Sequence, residues 1–153
     1  MIRIGKLTDY GILLMTYLAR DPLRLHAAQE IAQAMGIAQP TANKLLKLLA
    51  RGGLLDSQRG IRGGYALARP AAAITMVDII GALEGPVGLT DCGTAAQPGN
   101  CNRERSCSVK TNWQRISQAV NDALAEVTLA EMTVPSQPIR MFARPSTQPV
   151  SQP

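Results

Sequence analysis

From Leu7 to Ala19 apolar residues return every third or fourth position, at Leu7, Tyr10, Leu14, Tyr17 and Leu18. That period matches one face of a helix, with Thr8 as its cap and Asp21–Pro22 beyond its end. Ala27 to Met35 repeats the pattern over a shorter run and is closed by Gly36. A third run extends from Gln39 or Pro40 to Arg51. It places Ala42, Leu45, Leu46, Leu48 and Leu49 on one side of a helix and Gln39, Asn43, Lys44, Lys47 and Arg51 on the other. Proline is tolerated in a first turn, and Gly52–Gly53 ends the run. Two short helices joined by the tight turn Gly36-Ile37-Ala38 predict a helix-turn-helix. Leu54 to Ser57 and Tyr65 to Ala68 then read as strands around a glycine-rich basic tip, Arg59 to Gly64. The expected fold is mainly α: a winged helix-turn-helix with a small β-hairpin wing over residues 1–69.

Beyond Pro70, "ITMVDIIGALEG" predicts a short helix inside a connecting segment, residues 70–90. Thr75 is its N-cap and Asp78 stands at the third helical position, close to a capping box. Gly85-Pro86 stops it. From Ser108 to Met132 the pattern predicts one long helix. Along it Trp113, Ile116, Val120, Ala123, Val127 and Ala130 alternate spacings of three and four, a heptad seam. A seam of that kind predicts pairing with a second copy, so residues 108–132 read as a dimerisation helix of a homodimer. Residues 133–153 turn rich in Pro, Ser, Gln and Thr and predict a disordered tail. No apolar run is long enough to span a bilayer, and the start lacks a signal-peptide cleavage pattern. The expectation is a cytoplasmic protein with no membrane partner.

Charge sharpens this picture. The formal net charge is +5 over 153 residues. Met1 to Tyr65 holds nine Lys or Arg against four Asp or Glu, and the remainder holds seven against seven. The surplus therefore lies on the predicted winged helix, where it attracts polyanions. Aromatics are only 3% of the chain, which argues against stacking platforms for single strands. Double-stranded operator DNA is the expected partner. Gln39, Thr41, Asn43 and Lys44 are the candidates for reading base edges. Lys47 and Arg51 suit phosphate contacts. Arg59 and Arg62, on the hairpin tip, suit the narrow minor groove. No nucleophile–base pair or phosphate loop is visible, and the sole histidine, His26, has no evident catalytic partner. Neither an enzyme nor a small-molecule substrate is expected.

One segment, "DCGTAAQPGNCNRERSC" at residues 91–107, holds every cysteine: Cys92, Cys101 and Cys107. An odd number in a cytosolic chain argues against a disulfide framework. The spacing C-x8-C-x5-C lacks the short knuckle usual for structural zinc. Its long polar spacers can wrap something larger than one ion. Iron–sulphur clusters accept thiolates at varied spacings, and three thiolates plus one further ligand complete a two-iron or four-iron cluster. Arg103, Arg105 and Lys110 would offset thiolate charge. The alternative is a regulator whose cysteines sense oxidants or hold zinc without a cluster.

This order of parts resembles the Rrf-type family of bacterial winged-helix regulators, which includes the IscR-like iron–sulphur regulators. The resemblance runs from Met1 to about Met132. It rests on "LTDYGILLMTYLA", "QRGIRGGYALARP", the three cysteines and "NWQRISQAVNDALAEVTLAEM". "KLTDYG" and "NWQRIS" are most similar to the branch of SUF-system iron–sulphur assembly regulators. The resemblance implies a homodimer on operator DNA, a repressor of SUF genes whose DNA affinity follows cluster occupancy or redox state. It also implies Cys92, Cys101 and Cys107 as metal ligands, with a 2Fe-2S cluster in preference to 4Fe-4S. Two departures stand out. Lys110 occupies the place where the IscR type completes its cluster with histidine, and a protonated lysine is no ligand. Glu104 therefore ranks first as fourth ligand, Asp91 second and His26 a distant third. Asn43 stands where the IscR type carries a glutamate that discriminates between operator classes.

Overall fold

The computed structural model describes residues 3–90, 101 and 106–134. Its elements run α1 (Lys6–Leu18), α2 (Ala28–Met35), α3 (Gln39–Arg51), β1 (Leu55–Gln58), β2 (Gly64–Leu67), a 3-10 turn at Ala71–Ala73, α4 (Met76–Glu84), α5 (Lys110–Glu126) and α6 (Leu129–Thr133). The apolar stripes meet in one core. Leu14, Met15 and Leu18 of α1, Ile31 of α2, and Leu45, Leu46 and Leu49 of α3 are fully buried with Leu54, Ile74, Ile79 and Leu129. Each such side chain contributes on the order of 1.5–3 kcal/mol relative to leaving it in water. Among the described residues no helix is long and apolar enough to cross a membrane.

The helix-turn-helix forms where the pattern places it. Gly36 closes α2 in the left-handed region at φ +63°, a conformation that disfavours any side chain. Its N–H and that of Ile37 satisfy carbonyls of the last turn, and α3 begins three residues later. The start of α1 differs from expectation. Gly5, not Thr8, is its N-cap. Thr8 lies inside the helix, fully buried, and its hydroxyl donates to the Glu84 carboxylate at the end of α4. Gly5 and Gly11 make room for this packing. A Cβ on Gly5 would stand 2.8 Å from Glu84 Oε1, and one on Gly11 would meet Leu83 at 2.3 Å. The expected connecting segment is thus part of the body, since α4 packs on α1, α3 and α5.

The wing is a two-stranded antiparallel sheet, with Leu55 opposite Leu67 and Ser57 opposite Tyr65. It gains an edge the sequence did not suggest. His26 exchanges both backbone hydrogen bonds with Tyr65, each 2.9 Å. A Cβ on Gly64 would come within 2.6 Å of the His26 carbonyl oxygen, so the close approach requires glycine there.

The helix expected from Ser108 to Met132 is two helices. Val127 is extended, at φ −91° and ψ 116°, and Thr128 starts α6 with a capping box. The Glu131 carboxylate accepts from the Thr128 backbone N–H at 2.7 Å and from its hydroxyl at 2.8 Å. Residues Val127 to Leu129 then run antiparallel to Ile74–Met76: Met76 N donates to the Val127 carbonyl (3.0 Å) and Leu129 N to that of Ile74 (2.8 Å). Leu129 drops into the core. The heptad seam keeps helical geometry through Ala123; Val127 and Ala130 lie off it. The expected cysteine segment and tail fall largely outside the described residues.

Leu129→Ala is expected to destabilise the fold by about 2–5 kcal/mol in urea unfolding. The Glu131 carboxyl is held below the usual carboxylate range by the Thr128 backbone hydrogen bond first and its hydroxyl second. A lowered folded value means its stabilisation is whole above the ordinary carboxylate pKa and is lost as pH falls through the folded value. Unfolding midpoints from pH 7 down to 3 should therefore show a shallower acid decline in Glu131→Gln than in wild type.

Candidate nucleic-acid interface and cysteine segment

α3 buries Ala42, Leu45, Leu46 and Leu49. Its opposite side presents Gln39, Lys44, Lys47 and Arg51 to solvent, with Thr41 and Asn43 half-buried. Pro40, Asn43, Lys44, Lys47, Leu48 and Arg51 line an open concavity of about 350 Å³. No acidic residue stands in the first turn, and the N-cap Ala38 has no side-chain acceptor to offer. Arg59 and Arg62 are exposed at the wing tip. Among the described residues none of Lys44, Lys47, Arg51, Arg59 and Arg62 is in an ion pair, whereas Arg24 pairs with Glu30 (2.8 Å) and Arg69 with Asp78 (3.4 Å). Every residue singled out for DNA thus lies on α3 or the wing tip, and the cationic ones among them have no ion pair among the described residues.

His26 belongs to the interior. It is 3% exposed, its Nε2 stands 3.1 Å from the Asp21 carbonyl oxygen, and its ring meets the Tyr17 ring edge-on. Nδ1 has no hydrogen-bond partner and faces the Glu30 carboxylate at 3.8 Å. A ring enclosed in this way has no open side toward a cluster, which removes it as a fourth ligand.

Cys101 and Cys107 are free, half-buried thiols. Asp91, Cys92, Arg103, Glu104 and Arg105 lie outside the described residues. Cys107 lies three residues ahead of the first residue of α5: its carbonyl accepts from Lys110 N at 3.4 Å, and the N-cap Val109 gives α5 no side-chain cap. Sulphur is the donor that iron–sulphur clusters take from a protein. The donor set therefore fits a thiolate-held group.

Two polar residues of α5 went unread in the sequence because only its apolar positions carry a period. Ser117 is the one buried residue of α5, and its Oγ accepts from Leu89 N at 3.3 Å. Asn121 Nδ2 donates to the Val87 carbonyl at 2.9 Å. They fasten the approach to the cysteine segment onto α5, while Glu84, three residues upstream of Val87, grips α1. The seam residues Trp113, Ile116 and Ala123 are exposed and Val120 half-buried. Beside them Asn112, Arg115, Ile116 and Ala119 line an open concavity of about 430 Å³.

A family model described as Rrf2, iron-dependent transcriptional regulator, matches residues 4–135. A Neisseria meningitidis protein named as an HTH-type transcriptional regulator is 37% identical over 99 residues, 65% of each chain. CymR, the global cysteine regulator of B. subtilis, superposes with a TM-score of 0.66 at 30% identity, over 87% of this chain and 97% of its own. IscR of T. potens does so with a TM-score of 0.64 at 27% identity, over 86% and 85%.

Lys44→Ala is expected to weaken duplex binding by about 1–3 kcal/mol and to change which sequences are preferred. Arg51→Ala should weaken all duplexes alike and lower the salt dependence by about one counterion. Fluorescence anisotropy on duplexes selected from a random pool checks both.

Proposed function

This chain belongs to the Rrf2 family of DNA-binding transcriptional regulators, and from that premise we propose that it is an iron–sulphur-responsive repressor of SUF assembly genes, acting as a homodimer. One observation carries the reading. Two free, half-buried thiols stand nine and three residues ahead of a helix start that has no side-chain cap, in a chain matched by a model of iron-dependent regulators. Cys92, Cys101 and Cys107 would hold the cluster, two-iron in preference to four-iron, with Glu104 and then Asp91 as fourth ligand. Lys110, first in α5, offsets charge there. When bound, the cluster supplies an oxygen- and redox-sensitive occupancy.

The chain's own residues do the rest. Gln39, Thr41, Asn43 and Lys44 enter a major groove, and Lys47 and Arg51 hold phosphates. Arg59 and Arg62 reach the minor groove. Trp113, Ile116, Val120 and Ala123 pair with the same face of a second copy, which sets the spacing of two heads along the duplex. Ser117 and Asn121 hold residues 87–89 to α5, and Glu84 holds α4 to α1 through Thr8. A change in the cysteine segment thus reaches the head through six residues. It shifts DNA affinity only by favouring one head arrangement over another. The likeness to a cysteine regulator supports a second reading, in which the same thiols respond to oxidants without a cluster.

Anaerobic purification separates the two. The first reading expects a brown protein with iron and sulphide, and loss of visible absorbance in Ala variants of Cys92, Cys101 and Cys107 but not of Lys110. A colourless wild-type protein whose thiols oxidise reversibly favours the second. Trp113→Glu with Val120→Glu is expected to yield monomers by sedimentation equilibrium and to collapse binding to a two-half-site duplex.

A further inference from the structure

At the wing tip the Gly63 amide donates to the Gly60 carbonyl at 3.0 Å. Ile61 and Arg62 are therefore the central residues of the tip turn. Gly60 takes φ +112° to enter it. A Cβ on Gly63 would lie 2.2 Å from the Gln58 carbonyl oxygen, so the two arms touch backbone to backbone. Behind them β2 is pinned by His26 through Tyr65. The tip is a braced finger, and at its crest stands a fully exposed isoleucine between two exposed, unpaired arginines, Arg59 and Arg62. Single exposed apolar residues are ordinary. One aimed away from the body, flanked by cations, in a DNA-binding chain, has a complementary surface: anionic rims with apolar sugar walls between them.

We propose that Ile61 is a DNA-contacting residue that seats against the deoxyribose walls of the minor groove and disfavours guanine at the base pairs beneath it. The inference rests on the placement of α3 in the adjacent major groove. Arg59 and Arg62 meet the electronegative groove and its rims, which are most negative where A·T pairs narrow it. Ile61 fills the floor between them, as apolar side chains do in minor grooves. Guanine alone projects an amino group into that floor, where it competes with the isoleucine for space. Ile61 thus gives a finger of general cations a preference by composition.

Duplexes selected by the wild-type protein are footprinted with hydroxyl radicals, and the A·T pairs under the wing are replaced by G·C or by inosine·C. Inosine·C shows the major-groove face of G·C but lacks the minor-groove amino group. Wild type should lose affinity on G·C and keep it on inosine·C. Ile61→Ser, which removes a side chain that touches solvent only, should keep its far-UV circular dichroism, bind about tenfold more weakly and lose the A·T preference. Its salt dependence should stay that of wild type, because no phosphate contact is removed, whereas Arg59→Ala should lower it. Binding by Ile61→Ser within about twofold of wild type, or inosine·C behaving like G·C, overturns the proposal. Failure of the α3 reading shows separately, as an unchanged sequence preference in Lys44→Ala.

Discussion

Two backbone hydrogen bonds between Ile74–Met76 and Val127–Leu129 hold the molecule's parts in register. They join the starts of α4 and α6, each closed by its own Thr-led capping box. Helix starts normally leave amides unsatisfied. Here Asp78 and Glu131 serve their own turns, and the strand-like pairing takes up the carbonyls just ahead. Leu129 reaches the core through this joint, and α4 is set against α1 and α3. The cationic face of α3 is thus oriented, at one remove, by a joint at the far end of α5.

The same economy governs α3. A helix of 13 residues gives one side wholly to the core and keeps its cations on the other, where none is in an ion pair among the described residues. Burial of four apolar residues fixes the roll of the helix and thereby the direction of Lys44, Lys47 and Arg51. Strand β2 of the wing is held from both sides, by β1 and by His26. His26 carries the one buried, unpartnered ring nitrogen among the described residues. The backbone of that residue, more than its ring, explains its position.

Much of this was legible in the chain. The bounds of α3 and the Thr75 cap follow from periodicity and punctuation, and the wing strands were offset by a single residue. The break at Val127 was not foreseen, because the three-and-four spacing continues through it to Ala130. A heptad pattern counts apolar positions and ignores the Thr128–Glu131 pair, which is a start signal embedded in helix-forming sequence. Tertiary contact decided the outcome, since Leu129 is buried only if the helix breaks. The His26–Tyr65 pairing left no trace because one residue has no period. Ser117 and Asn121 were missed for the converse reason: as polar residues on an inner face they look like solvated positions. The reading of the cysteines rests on residue type and clustering, and most of their segment lies outside the described residues.

The burial of Leu129 also has a consequence for synthesis. Among the described residues, every other fully buried apolar side chain of the core comes from the first 79 residues. A chain emerging from its N-terminus therefore forms most of the reading head early, with a gap in its core. The gap closes only after the cysteine segment and the whole of α5 have been made. Long sequence separation between contacts slows their formation, and domains generally fold as units during synthesis. The core is completed last by a residue that lies beyond the cysteine segment, so a nascent fragment truncated before residue 129 lacks a finished core.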